Sequence, residues 1–174
     1  MFYISYGSNM NIEQMKERCP NTTVYGNGKL YGWKLVFNYH ADIILTRKKS
    51  DVVPVVVWNL NDKFDMLSLD FYEGYPHYYT KKKINVIMDN GEKIKAMVYV
   101  MVDDVKGIYP PSEFYFNCIK EGYTANKINL APLYDALDES LETKNITKYN
   151  QYNPKSGKKS FKKSGKEKAT RRKN

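Results

Sequence analysis

The sequence predicts a mixed α/β domain with much antiparallel pairing. Three features point there: a hairpin signal at Asp89-Asn90-Gly91 between two β-prone runs, short strands on either side of an amphipathic helix, and helices gathered late in the chain. The order strand, helix, several strands, helix, hairpin, helices lacks the regular alternation of a doubly wound sheet.

Phe2 to Tyr6 is a short apolar run that breaks at Gly7, so a strand followed by a loop. Asn11 can cap a short helix carrying Ile12 and Met15, stopped by Pro20. Residues 29–39 and 42–46 read as strands, as does PVVVWNL at 54–60. Asn61 is expected to cap a helix in which Phe64, Leu67 and Phe71 form one buried face, ending at Glu73-Gly74. Tyr78–Met88 and Glu92–Val102 are the hairpin strands; helices follow over 112–121 and about 130–142. From Tyr152 onward apolar periodicity stops, so the organisation expected is a folded unit over 1–149 and a disordered, lysine-rich tail over 150–174.

The 174 residues suffice for one domain with a proper core. The formal net charge of +9 is not evenly spread. Ten of the 28 basic residues but one of the 19 acidic ones follow Tyr149, so residues 1–149 carry 18 of each and are neutral. Two cysteines, Cys19 and Cys118, are too few for a disulfide framework and read as reduced thiols. No run of 18 apolar residues is present, and MFYISYGSN lacks the features of a signal peptide, so a cytoplasmic location is expected. Sixteen tyrosines offer apolar area plus a hydroxyl that seeks a partner, as in a polar cavity, although an AT-rich coding sequence gives the same bias.

Two constellations can carry chemistry. Tyr6-Gly7-Ser8-Asn9-Met10 follows the first strand, and small residues there let backbone N–H groups converge on an anion or oxyanion. Any strand-to-helix turn has the same look. The second is Leu69-Asp70-Phe71-Tyr72-Glu73-Gly74-Tyr75-Pro76, then Tyr78 and Tyr79. A carboxylate at a helix C-terminus meets the unfavourable end of the dipole, and aromatic neighbours add desolvation. Both raise its pKa toward the range of a general acid/base. A solvated helix-end glutamate is the plainer alternative.

Together, YGSN after the first strand and a helix ending in D-x-x-E-G-Y-P resemble the gamma-glutamylcyclotransferase family and its AIG2-like relatives. The resemblance runs from about Phe2 to Leu141 and includes Pro110-Pro111-Ser112-Glu113-Phe114-Tyr115 and Gly122-Tyr123; Met10 replaces a usual Leu. It implies a mixed, largely antiparallel β-barrel with flanking helices (an α+β fold) and a cavity at one end. It also implies a small gamma-glutamyl substrate, held by Tyr6, Gly7, Ser8, Asn9 and Met10, with Glu73 moving protons. Tyr79 and Tyr115 match the family's pocket tyrosines, and the alignment, ambiguous by one residue there, leaves Tyr78 open as the alternative to Tyr79. The implied reaction is attack of the substrate's own α-amine on its γ-carbonyl, releasing 5-oxoproline without metal or cofactor.

Other features receive plainer readings. Gly26-Asn27-Gly28-Lys29 is expected to be a turn, not a P-loop, and Asp103-Asp104 a solvated loop. His40 and His77 are too few for zinc, and Cys118 is expected in the core. The tail is read as freely solvated in preference to a nucleic-acid or anionic-surface attachment. A non-catalytic binding module using that tail is the competing function, with Glu73 arguing against it.

Overall fold

The computed structural model describes residues 1–152, with side chains to residue 145. The expected tail lies outside the described residues except for 150–152, which are helical and continue the last helix. The strands are β1 (Phe2–Ser5), β2 (Thr23–Tyr31), β3 (Trp33–Asn38), β4 (His40–Leu45), β5 (Val52–Asn59), β6 (Tyr79–Met88) and β7 (Lys93–Met101). The helices are α1 (Ile12–Arg18), α2 (Lys63–Tyr72), α3 (Glu113–Ala125) and α4 (Ala131–Tyr152), with 3₁₀ turns at Ser8–Met10 and Asp103–Val105.

Five strands close into a barrel in the order β1-β5-β2-β6-β7, while β3 and β4 pair as a separate two-stranded sheet. The barrel neighbours are antiparallel except at the closing seam, where β1 runs parallel to β7 with Tyr3 opposite Met97 and Ile4 opposite Val98. β5 is valine-rich because both its faces are covered, and Val53, Val55, Val56, Val57 and Trp58 are buried. Pro54 stands beyond the stretch of β5 paired with β1, where one side is an edge and a missing N–H is tolerated. Trp58 donates its Nε1–H to Ser5 Oγ at 2.9 Å, so the largest core side chain leaves no polar atom stranded. The β6–β7 turn is the expected one, with Gly91 at φ 87° and the Asn90 side chain accepting from Glu92 N.

Several local expectations are corrected. Residues 29–39 are not one strand: Gly32, at φ 79°, breaks them into β2 and β3. Residues 26–29 lie inside β2 and not in a turn, next to a register shift between Val24 and Gly26. Glycine is needed at 28 because a Cβ there would sit 2.7 Å from Val86 Cγ2 and 2.9 Å from the Ile87 carbonyl oxygen. Asp62, not Asn61, caps α2. The face expected to be buried is outside: Phe64, Leu67 and Phe71 are 77%, 63% and 82% exposed. The helix instead docks through Asp65 and Leu69, and the next position at that spacing of four is Glu73. Helix α4 continues past residue 142 to Tyr152.

The loop after β1 is clasped by α3. Asn11 caps α1 as expected, accepting from Gln14 N, and its amide reaches Glu121 of α3. Asn126 at the end of α3 donates to the Met10 carbonyl at 2.9 Å. Gly122 lets the two backbones touch: a Cβ there would lie 2.7 Å from both Asn11 N and Met10 C. Replacing a helical glycine by alanine ordinarily stabilises by about 1 kcal/mol. Here the obstruction is backbone and cannot swing away, so overpacking wins. Gly122→Ala is expected to lower unfolding free energy by about 1–2 kcal/mol, seen as a lower urea midpoint at constant m-value.

Candidate active site

One end of the barrel opens on a cavity of about 1040 Å³, at the upper end of the range that holds a drug-sized ligand. Among the segments that meet there are the loop after β1, the end of α2, the tip of the β3–β4 hairpin, the loop after β7 and the start of α3. Tyr6, Gly7, Ser8, Asn9, Glu73, Tyr79 and Tyr115 all line it. Met10 does not; it is fully buried under α3 and supports the loop from behind. Tyr78 also reaches the cavity but is 63% exposed, whereas Tyr79 is half-buried and hydrogen-bonded inside. His77 is not part of the wall; His40 is, edge-on to Tyr115 at 5.0 Å. Cys118 is not core: it is half-buried and lines the cavity, with burial raising its thiol pKa.

Glu73 is the C-cap of α2, and the Asp65–Leu69–Glu73 spacing turns it into the cavity. Its Oε1 accepts a 2.9 Å hydrogen bond from Asn9 Nδ2, which also donates to the Tyr3 hydroxyl at 2.8 Å. Arg18, in the last turn of α1, donates to Asn9 Oδ1 and lies over the Tyr72 ring at 4.5 Å. Loss of water around the carboxyl pushes its pKa from 4.5 up to about 7, against the opposing pull of Arg18 and the Asn9 hydrogen bond.

The tyrosines are held through one backbone unit. Ala41 accepts from Tyr79 Oη at 2.8 Å and donates its N–H to Tyr115 Oη at 3.2 Å. Asp42, buried beside it, accepts from Met101 N at 2.9 Å and so ties β4 to β7. Gly7 must be small, since a Cβ would come within 3.1 Å of the Ala41 Cβ and 3.2 Å of the Tyr115 hydroxyl. Tyr6 donates to the Tyr99 carbonyl at 2.8 Å. Burial raises the pKa of Tyr115 to about 12 and drives Tyr3, Tyr6 and Tyr79 upward too, so these hydroxyls stay neutral at ordinary pH. Among the described residues no group of His, Cys, Asp or Glu is arranged to hold a metal ion.

Sequence reading missed Tyr3, Arg18 and Ala41. Gln14 and Arg18, four apart on α1 and both in the cavity wall, were the available signal. Ala41 acts through its backbone and leaves no trace in residue type.

A cavity built around a carboxyl poised near neutrality, walled by neutral hydroxyls at the end of a closed barrel, has the form of an acid/base enzyme site. The family model for gamma-glutamyl cyclotransferase, AIG2-like, matches residues 3–116, well over half the chain, and the chain belongs to that enzyme family. Among its relatives are gamma-glutamylcyclotransferases of Bos taurus, 30% identical, and Homo sapiens, 29% identical, each over 139 residues covering 74% of this chain and 72% of the relative. A solved structure of a gamma-glutamyl cyclotransferase superposes with a TM-score of 0.67 at 25% identity, covering 78% of this chain and 85% of its own. The α+β barrel with flanking helices is thus the family's fold.

The raised pKa has a thermodynamic consequence. Protonated Glu73 suits the folded state, so its stabilising contribution is complete below about 4.5 and is lost as pH rises through about 7. Glu73→Gln escapes that loss. The variant is expected to be more stable than wild type at pH 8 by about 2–3 kcal/mol, with the difference vanishing near pH 4, in paired urea titrations.

Proposed function

We propose that this chain releases 5-oxoproline from a γ-glutamyl amine or peptide, with Glu73 as general acid/base. The observation that carries this reading is a partly desolvated carboxyl, near pKa 7, in the same cavity as the backbone of Gly7, Ser8 and Asn9. The substrate's α-nitrogen bonds to its own γ-carbon and the γ-carbon–nitrogen bond breaks. Glu73 takes the proton from the attacking ammonium and returns it to the departing amine. Because nucleophile and electrophile share one molecule, the protein's task is to hold the glutamyl chain folded. Orientation of that kind can supply roughly 7–11 kcal/mol of the barrier.

The loop contributes donors. Met10 N and Asn11 N are taken by the Gly7 and Ser8 carbonyls and Ser8 N–H is directed at the Tyr115 hydroxyl, whereas the N–H groups of Gly7 and Asn9 bond no backbone carbonyl among the described residues. They would bind the substrate's carboxylate or the oxyanion of the tetrahedral intermediate, with Tyr6 and Met10 bracing the loop. Removal of one such donor typically costs about 3–4 kcal/mol. Tyr79 and Tyr115 would pack the glutamyl methylenes and offer hydroxyl contacts. No step calls for a metal or cofactor. Among the described residues no helix is long and apolar enough to cross a membrane.

Incubation with γ-glutamyl amino acids, glutathione and γ-glutamyl-lysine isopeptide, with assay of 5-oxoproline, tests the reaction. Glu73→Gln is expected to cut turnover by about 10²–10⁴-fold while remaining folded; wild-type rates in that variant would sink the assignment.

The carboxylate form is the base, so kcat/KM should rise with pH through about 7. Arg18→Gln removes the larger force holding that pKa down, so the rising limb should move to higher pH. A limb that stays in place would assign the titration to another group.

A further inference from the structure

Beyond the Glu73 end, the cavity extends along the tip of the β3–β4 hairpin and the loop after β7, through Asn38, Tyr39, Val105, Lys106 and Tyr109. The Tyr39 and Tyr109 rings stack with centroids 4.8 Å apart and planes within 1°. Both remain substantially open, at 57% and 43% exposure. An open, parallel pair offers its outer faces to a further ring.

The pair is fixed by its backbone. Tyr39 N donates to the Tyr109 carbonyl at 3.0 Å and Tyr109 N to the Phe37 carbonyl at 2.9 Å. Asn38 donates to the Val105 carbonyl, stitching the loop to the hairpin tip. Tyr39 occupies the left-handed region at φ 58°, where Asn or Gly would be at ease and a bulky aromatic is strained. Gly107 is needed beneath the second ring, since a Cβ there would lie 2.8 Å from Tyr109 Cε2. The segment therefore accepts strain to present one ring and a missing side chain to seat the other. Lys106, paired with Asp103 at 2.7 Å, adds a cation to the same wall.

We propose that this wall is the leaving-group subsite, and that it selects γ-glutamyl dipeptides whose released amino acid has an aromatic side chain. An incoming ring would extend the Tyr39–Tyr109 stack, and the α-carboxylate of the departing amino acid would meet Lys106. The opposite side of the cavity suits this role less well. There the Tyr72 face is covered by Arg18, Phe71 meets the Tyr72 ring edge-on at 5.9 Å, and Phe71 and Phe114 are 82% and 85% exposed without a parallel partner. The inference rests on the cyclotransferase reading for its chemistry but not for its geometry.

The test compares γ-glutamylphenylalanine with γ-glutamylalanine. In wild type the aromatic dipeptide should be favoured about tenfold in kcat/KM. Tyr39→Gly removes the ring and relieves the strained backbone, so folding is preserved and the ratio should fall to about one. Lys106→Met should erase the preference for γ-glutamylphenylalanine over γ-glutamylphenethylamine, which lacks the carboxylate. A wild-type ratio near one, or a ratio unmoved by Tyr39→Gly, would overturn the proposal. So would a ratio that collapses instead in Phe114→Ser, which would put the leaving group against the helices. If no γ-glutamyl compound yields 5-oxoproline, the reaction assignment is what fails. Calorimetric binding of the two dipeptides to wild type and Tyr39→Gly then decides the subsite, with equal affinities overturning it.

Discussion

An ionisable carboxyl at the mouth of a barrel is useful only if its environment keeps both protonation states within reach, and here that balance runs through Asn9. The amide of Asn9 donates to Glu73 on one side and to the Tyr3 hydroxyl on the other, while Arg18 holds its oxygen. Desolvation alone would lock Glu73 in its neutral form. A guanidinium bonded directly to it would lock it as an anion. Placing a neutral amide between the two gives a partial opposing pull and leaves the group near 7. A pKa at the working pH maximises the product of correct protonation state and proton-transfer driving force.

That balance needs rigid supports, because an amide contact is lost over less than an ångström. Each support comes from a different part of the chain. The parallel β1–β7 seam delivers the loop to the barrel end, and α3 pins it through Gly122 and Asn126. The β3–β4 hairpin lies outside the barrel yet is clamped to β7 by Asp42, and its Ala41 backbone sets both cavity tyrosines. Groups mounted on regular elements in this way hold position more tightly than groups on free loops.

What could be read from sequence was mostly local. The Asp89-Asn90-Gly91 turn and the Asn11 cap depend on residues close in the chain, whereas the pairing of YGSN with Glu73-Gly74, 64 residues apart at Asn9 and Glu73, was legible through the family resemblance. The failures share a cause. A pattern such as Phe64, Leu67, Phe71 states that a helix has an apolar stripe, not that anything covers it, and in α2 the packed stripe is Asp65 and Leu69. Gly26 and Gly28 have turn-like composition but lie within β2, where Gly28 serves close approach to β6. Arg18 acquires its role from a tertiary contact with Asn9, and Ala41 from backbone groups that carry no residue-type signature.

The abundance of tyrosine now has a site-level reading. The cavity wall uses hydroxyls in preference to charged groups, and burial keeps those hydroxyls protonated. Neutral donors stabilise negative charge as it develops on a reacting oxygen without imposing a permanent field on Glu73. A lysine in the place of Tyr79 or Tyr115 would pull the Glu73 pKa down toward its ordinary 4.5. Tyrosine keeps the wall polar while leaving the Glu73 pKa where burial and Arg18 set it.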